Sequence, residues 1–112
     1  MKMVKWNDVE ITQNTHGVDA RKLYDTEHAQ VVHMILKSGG KLKKHLTPVD
    51  VIFYVLEGNG TVEIGDEKQE VGPDTLIDSP AKTPHCWYNE SNDILRFLVI
   101  KVPRPTESTR LL

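Results

Sequence analysis

The sequence has few of the residues that mark several protein classes. It contains one cysteine, Cys86, so no disulfide can form within the chain and nothing asks for an oxidising compartment. Its apolar runs stop well short of the roughly 20 residues that a membrane-spanning helix needs, and no cationic start leads into an apolar signal segment. These absences make the cytoplasm the expected address and exclude a membrane partner. Charge of one sign is also lacking: 14 basic side chains face 16 acidic ones, for a formal net charge of -2. Nucleic-acid binding needs a basic face, and this balance argues against it. No solenoid repeat or low-complexity linker divides the chain, and 112 residues make one domain. About two thirds of the unfolded surface can be buried at this length, so 38% hydrophobic residues supply one core without staples. What the chain does have is five histidines, at positions 16, 28, 33, 45 and 85.

Strand signals dominate the pattern. Ala29 to Lys37 is rich in apolar and β-branched residues and ends at Ser38-Gly39-Gly40, as a strand before a turn does. Val51 to Glu57 repeats this and stops at Gly58-Asn59-Gly60; Thr61 to Ile64 then alternates as half of a hairpin turning at Gly65-Asp66. A short strand is expected near Gln69, another over Thr75 to Ile77, a rigid loop from Pro80 to Pro84, and extended chain from His85 to Asn89. Ile94 to Val102 is the last strand, ended by Pro103 and Pro105. Residues 1–105 then form the domain and 106–112 a loose tail. In the N-terminal region only Asp19 to Asp25 suggests a helical turn, too short to assign. Short strands between glycine and proline turns indicate an all-β fold, a single-domain antiparallel sandwich or small barrel.

Two segments carry a family resemblance. Gly39 to Gly58, GGKLKKHLTPVDVIFYVLEG, resembles the first conserved motif of the cupin superfamily, with Gly39, His45 and Gly58 in register. Gly72 to Asn89, GPDTLIDSPAKTPHCWYN, resembles the second, matching at Gly72, Pro80, His85 and Asn89. The resemblance implies an antiparallel β-barrel of jelly-roll topology. It also implies a metal centre of two histidines and a glutamate from the first motif and one histidine from the second. Here Thr47 stands at the second histidine position and Val51 at the glutamate, leaving His45 and His85 as the matched ligands. Lys82 replaces a frequent family glycine, where a left-handed lysine would cost about 1–2 kcal/mol.

Strand parity limits what could complete the site, because only residues an even number apart share a face. Trp87 and Asn89 share the face of His85, whereas Cys86 faces away from it, which argues against a Cys–His catalytic pair. With Val51 inward, Asp50 points outward. His28 and His33 cannot both face the lumen of one regular strand, and His33, inside the apolar Val31 to Leu36 run, is the candidate third ligand. His16 lies in a turn-like sequence and is expected at the surface. Lys37, Lys41, Lys43 and Lys44 read as a solvated loop that could also draw an anion to the mouth.

The expected role is a small cupin binding a small polar or anionic molecule among His45, Phe53, Val55, His85, Trp87 and Asn89. A weakly held divalent metal (Fe, Mn, Ni or Zn) is the candidate cofactor, on His45 and His85, which the resemblance matches, with His33, which strand parity suggests, as third ligand. The alternative is a metal-dependent cupin enzyme, a dioxygenase or isomerase, using His45, His85 and a non-standard third ligand. A sensor domain would need a separate DNA-binding partner. Affinity at the histidines should fall below about pH 6. Small cupins often pair through exchanged N-terminal strands, so a homodimer is expected.

Overall fold

The computed structural model describes residues 1–107 and 109–112. A 3-10 turn at Trp6–Asp8 precedes ten strands among the described residues: β1 (Asp19–Asp25), β2 (Gln30–Leu36), β3 (Lys41–Leu46), β4 (Asp50–Glu57), β5 (Gly60–Ile64), β6 (Glu67–Val71), β7 (Leu76–Ser79), β8 (His85–Tyr88), β9 (Leu95–Val102) and β10 (Arg110–Leu111). They form two five-stranded antiparallel sheets, ordered β1-β2-β9-β4-β7 and β10-β3-β8-β5-β6. The fold is all-β with a jelly-roll path. Among the described residues no ladder joins the sheets into a closed barrel; the barrel is two facing layers, with the core between them.

The long strands owe their position to alternation. In β4, Val51, Phe53 and Val55 are buried between less buried neighbours, and in β9 Leu95, Phe97 and Val99 do the same. Their side chains meet across the sandwich with Trp87, whose ring stacks on Phe97 at 4.5 Å. Gly58 lets this layer close: it has φ +85°, and a Cβ there would strike the Ile94 carbonyl oxygen.

Three elements differ from the sequence reading. Asp19–Asp25 is a strand, not a helical turn; it is an edge strand with one fully buried residue, Ala20, and it pairs with β2 through a register shift at Lys22/Tyr24. The stretch 106–112 is not a loose tail throughout, because Arg110–Leu111 pairs with Leu46 and His45 of β3; residue 108 lies outside the described residues. Lys82 keeps the left-handed conformation of the glycine it replaces, at φ +62°.

Candidate functional site

An irregularity in β3 sets up the site. Leu42 pairs with Trp87, yet His45 pairs with His85, so one extra residue is accommodated between them. Residues three apart would otherwise face opposite sides of a strand. The bulge lets Leu42 and His45 both face inward while Lys43 and Lys44 face solvent.

His45 and His85 stand in a hydrogen-bonded chain whose proton positions follow from its ends. The Lys43 carbonyl can only accept, so Nδ1–H of His45 donates to it, at 2.6 Å. The Nε2 of His45 is then an acceptor, and Nε2–H of His85 donates to it at 2.9 Å. The Nδ1 of His85 accepts in turn from the Ser79 hydroxyl at 2.7 Å. Thr47, at the missing histidine position, is buried with Oγ1 3.4 Å from His85 Nε2. Both rings are neutral in this arrangement. Burial lowers the basicity of both, and that of His85 falls to about 3 with help from the charges of His45 and Lys101. The expected loss of affinity below about pH 6 therefore moves to more acidic pH, because a buried imidazole resists the proton that a solvated one would take.

The sequence reading missed a third ring. His16, expected at the surface, lies with its ring centroid 4.6 Å from that of His45. Asn14 holds it there: its carboxamide oxygen accepts from the His16 backbone N–H at 3.0 Å, while its nitrogen donates to the carbonyls of Thr12 and Val18. Burial lowers the basicity of His16 to about 4. Its Nδ1 has no hydrogen-bond partner among the described residues.

These rings line a cavity of about 480 Å³ between the sheets, within the range of small-ligand sites. The first sheet contributes Lys22, Gln30, Lys101 and an apolar wall of Val32, Met34 and Val99; the second contributes His45, Thr47 and His85. Phe53 lies at the base, its ring 5.2 Å from that of His85. Residues 12–16 and the exposed Glu107 complete the lining.

Other expected site residues are elsewhere. His33 is not in the cavity: it lies on the outward face of β2, stacked on Trp6 at 4.4 Å, with Nε2 accepting from Arg96 at 2.7 Å. Trp87 shares the inward face of His85 but lies deeper, packed into the core by Phe53 and Phe97. Val55 is likewise core rather than cavity wall. Asn89 is a structural group, donating to the carbonyls of Leu36 and Asp93. Cys86 turns away from His85, with Sγ 3.4 Å from the Tyr88 hydroxyl. His28 is exposed at 81%.

The cupin-domain family model matches residues 32–101, more than half of the chain. The chain belongs to the cupin family. It is 31% identical over 85 residues to an uncharacterized protein of Methanocaldococcus jannaschii, covering 75% of this chain and 73% of that protein. The polyketide cyclase RemF of Streptomyces resistomycificus superposes with a TM-score of 0.85 at 26% identity, over 100% of this chain and 85% of that one. TT1209 of Thermus thermophilus superposes with a TM-score of 0.80 at 26% identity, over 94% and 100%.

Cupins often carry a metal, and the residues here do not fit the centre implied by the motifs. Thr47 is a poor ligand, Val51 is none, and the two matched histidines direct their Nε2 atoms at each other. His33 cannot serve from the far face of its sheet. Among the described residues, no group of three or more His, Cys, Asp or Glu side chains is disposed to hold a metal ion.

Proposed function

We propose that this cupin is a cytoplasmic small-molecule-binding protein that takes a small polar or anionic ligand in the cavity bounded by His45, His85 and Phe53. One observation carries the reading: two lysines and three imidazoles line a mostly apolar cavity of about 480 Å³ against a single carboxylate, that of Glu107, which is exposed. An anion is the species that such a cavity desolvates at least cost, since the ammonium groups and the His16 ring replace its water. The likeness to a polyketide cyclase raises catalysis as a second use of the same cavity, without assigning a reaction.

A thermal-shift screen of small carboxylates, sugars and phenolics, with and without EDTA, tests the proposal. A ligand at 100 times its Kd should stabilise the fold by about 2.7 kcal/mol, a shift of several degrees. The expected result is a rise given by carboxylates and unaffected by EDTA. No rise with any compound would overturn the reading. Stoichiometric metal that disappears in His45→Ala would replace it with a metal-dependent enzyme, a dioxygenase or isomerase.

We also propose a homodimer. Its support is the outward face of the first sheet, where Val31, Ile35, Ile52, Leu98 and Ile100 remain partly exposed, a face that needs cover. Light scattering should give twice the chain mass, and Ile100→Asp should give the monomer.

A further inference from the structure

The cavity holds a group whose chemistry goes beyond supplying charge to an anion, the amine of Lys101. Lys101 continues the inward parity of Leu95, Phe97 and Val99 along β9, so its side chain enters the interior that those residues fill. Its cross-strand neighbours are Val51 of β4 and Gln30 of β2, and neither is charged. Directly opposed residues have Cβ atoms about 5 Å apart, so a glutamate at position 51 would lie within ion-pairing reach of the amine. Valine leaves it without one. Among the described residues, the lysines that form ion pairs are Lys22, with Asp25, and Lys44, with Glu63.

Lysines are rarely buried without a partner. Burial, then the charge of Lys22, lower the basicity of Lys101 below that of an ordinary lysine, which increases its neutral, nucleophilic fraction. Its charge in turn lowers the basicity of His16, His45 and His85, so the amine lies within electrostatic reach of all three rings. A desolvated lysine beside a second cation is an arrangement that activates amines toward carbonyl carbon.

We propose that Lys101 captures the carbonyl carbon of a small 2-oxo acid or aldehyde as an imine inside the cavity. For the 2-oxo acids this rests on the anion-binding reading, with the carboxylate held by Lys22 and the ring of His16, whose Nδ1 makes no hydrogen bond among the described residues, and the apolar remainder against Val32, Met34 and Val99. The amine lone pair forms the C–N bond as the carbonyl π pair moves to oxygen, which takes up a proton. An imidazole relays that proton from nitrogen to oxygen, a second proton from solvent converts the hydroxyl to water as the C–O bond breaks, and the nitrogen lone pair closes the C=N bond, giving an iminium that returns its proton to solvent. One water leaves per capture, and nothing is oxidised or reduced.

The test incubates the wild-type protein with pyruvate, glyoxylate or phenylglyoxylate in the presence of sodium borohydride and locates the reduced adduct by peptide mapping. The expected product carries one adduct per chain, on Lys101 ahead of the other nine lysines, and it is lost in Lys101→Arg, which keeps the charge and removes the nucleophile. Mapping on wild-type protein stands even if that variant folds poorly. Lactate, with the carboxylate but no carbonyl, reports anion binding alone through its thermal shift. A lactate shift without a Lys101 adduct overturns capture and leaves the binding reading intact. An adduct without a lactate shift supports capture and counts against anion binding. Labelling spread over surface lysines overturns capture, and neither shift nor adduct overturns both.

Discussion

Lowering the pH from 7 to 5 tests directly how the buried histidines are held. His85 and His33 are 2% and 1% exposed, and burial sets their native basicity at about 3 and about 4. Their hydrogen bonds give the same direction. Arg96 can only donate to His33 Nε2, and the 2.9 Å gap between the Nε2 atoms of His85 and His45 has room for one proton. The unfolded rings titrate near 6.5. Above that value neither state takes up protons and the stabilisation is complete. Between 6.5 and the native values only the unfolded chain binds them, so stability falls as pH falls, by up to about 1.4 kcal/mol per pH unit per ring. From pH 7 to 5 this comes to about 2 kcal/mol for each ring, or about 4 kcal/mol for the pair, against the roughly 5–15 kcal/mol that a whole domain has.

Urea unfolding followed by the fluorescence of buried Trp87 measures this, provided the slope with urea stays constant across the series. Asp25, whose carboxyl Arg104 holds below its ordinary 3.8, loses its stabilisation outside pH 7 to 5. His33→Gln should halve the decline due to the pair. A total change under about 1 kcal/mol between pH 7 and 5 would refute the reasoning, since the rings would then accept protons in the native state.

Three further outcomes follow from particular residues. Lys82 holds φ +62° on an exposed loop, so Lys82→Gly should raise stability by up to about 1 kcal/mol, part of the relief being offset by a freer unfolded chain; an unchanged or lower urea midpoint would speak against left-handed strain there. Gly58→Ala should cost about 3 kcal/mol or more and lower soluble yield, because its Cβ meets the Ile94 backbone at a positive φ; a near-normal melting temperature would contradict that packing. Thr47→His with Val51→Glu restores the motif's ligand set on two buried inward positions and should bind stoichiometric Mn or Zn by elemental analysis, lost again on adding His45→Ala; a metal-free double variant would refute the register match.

Much of the fold was legible because β4 and β9 are apolar, β-branched runs bounded by glycine and proline, although their alternation is in burial rather than in residue type. β1 was not, since DARKLYD buries one residue fully and is held by pairing with β2 rather than by its own pattern. His33 was misplaced for a related reason. Parity says which residues share a face but not which face is inside, and β2 is covered on both, by the core on one side and by Trp6 on the other. Trp87 was correct in face and wrong in depth, because the interior beyond His85 is filled by Phe53 and Phe97; Asn89 lies past the end of β8, where it bonds the backbone of Leu36 and Asp93. No spacing signal marked His16, whose position depends on the Asn14 turn and a long-range return of the chain. Lys101 did carry a signal: the period of two through Leu95, Phe97 and Val99 places it on their face.

The same positions that remove a metal centre reset the charge of the cavity. At Val51 the family pattern would put a carboxylate opposite Lys101, making the interior locally neutral and supplying a ligand. With valine there, the ligand and the counter-charge disappear together, while Thr47 leaves His45 and His85 bonded to each other instead of to a shared ion. The remaining inner polar groups are donors, weak bases and amides. A cavity so composed favours an anion or an electrophilic carbon over a cation, and loss of the metal ligands and gain of that preference follow from the same substitutions.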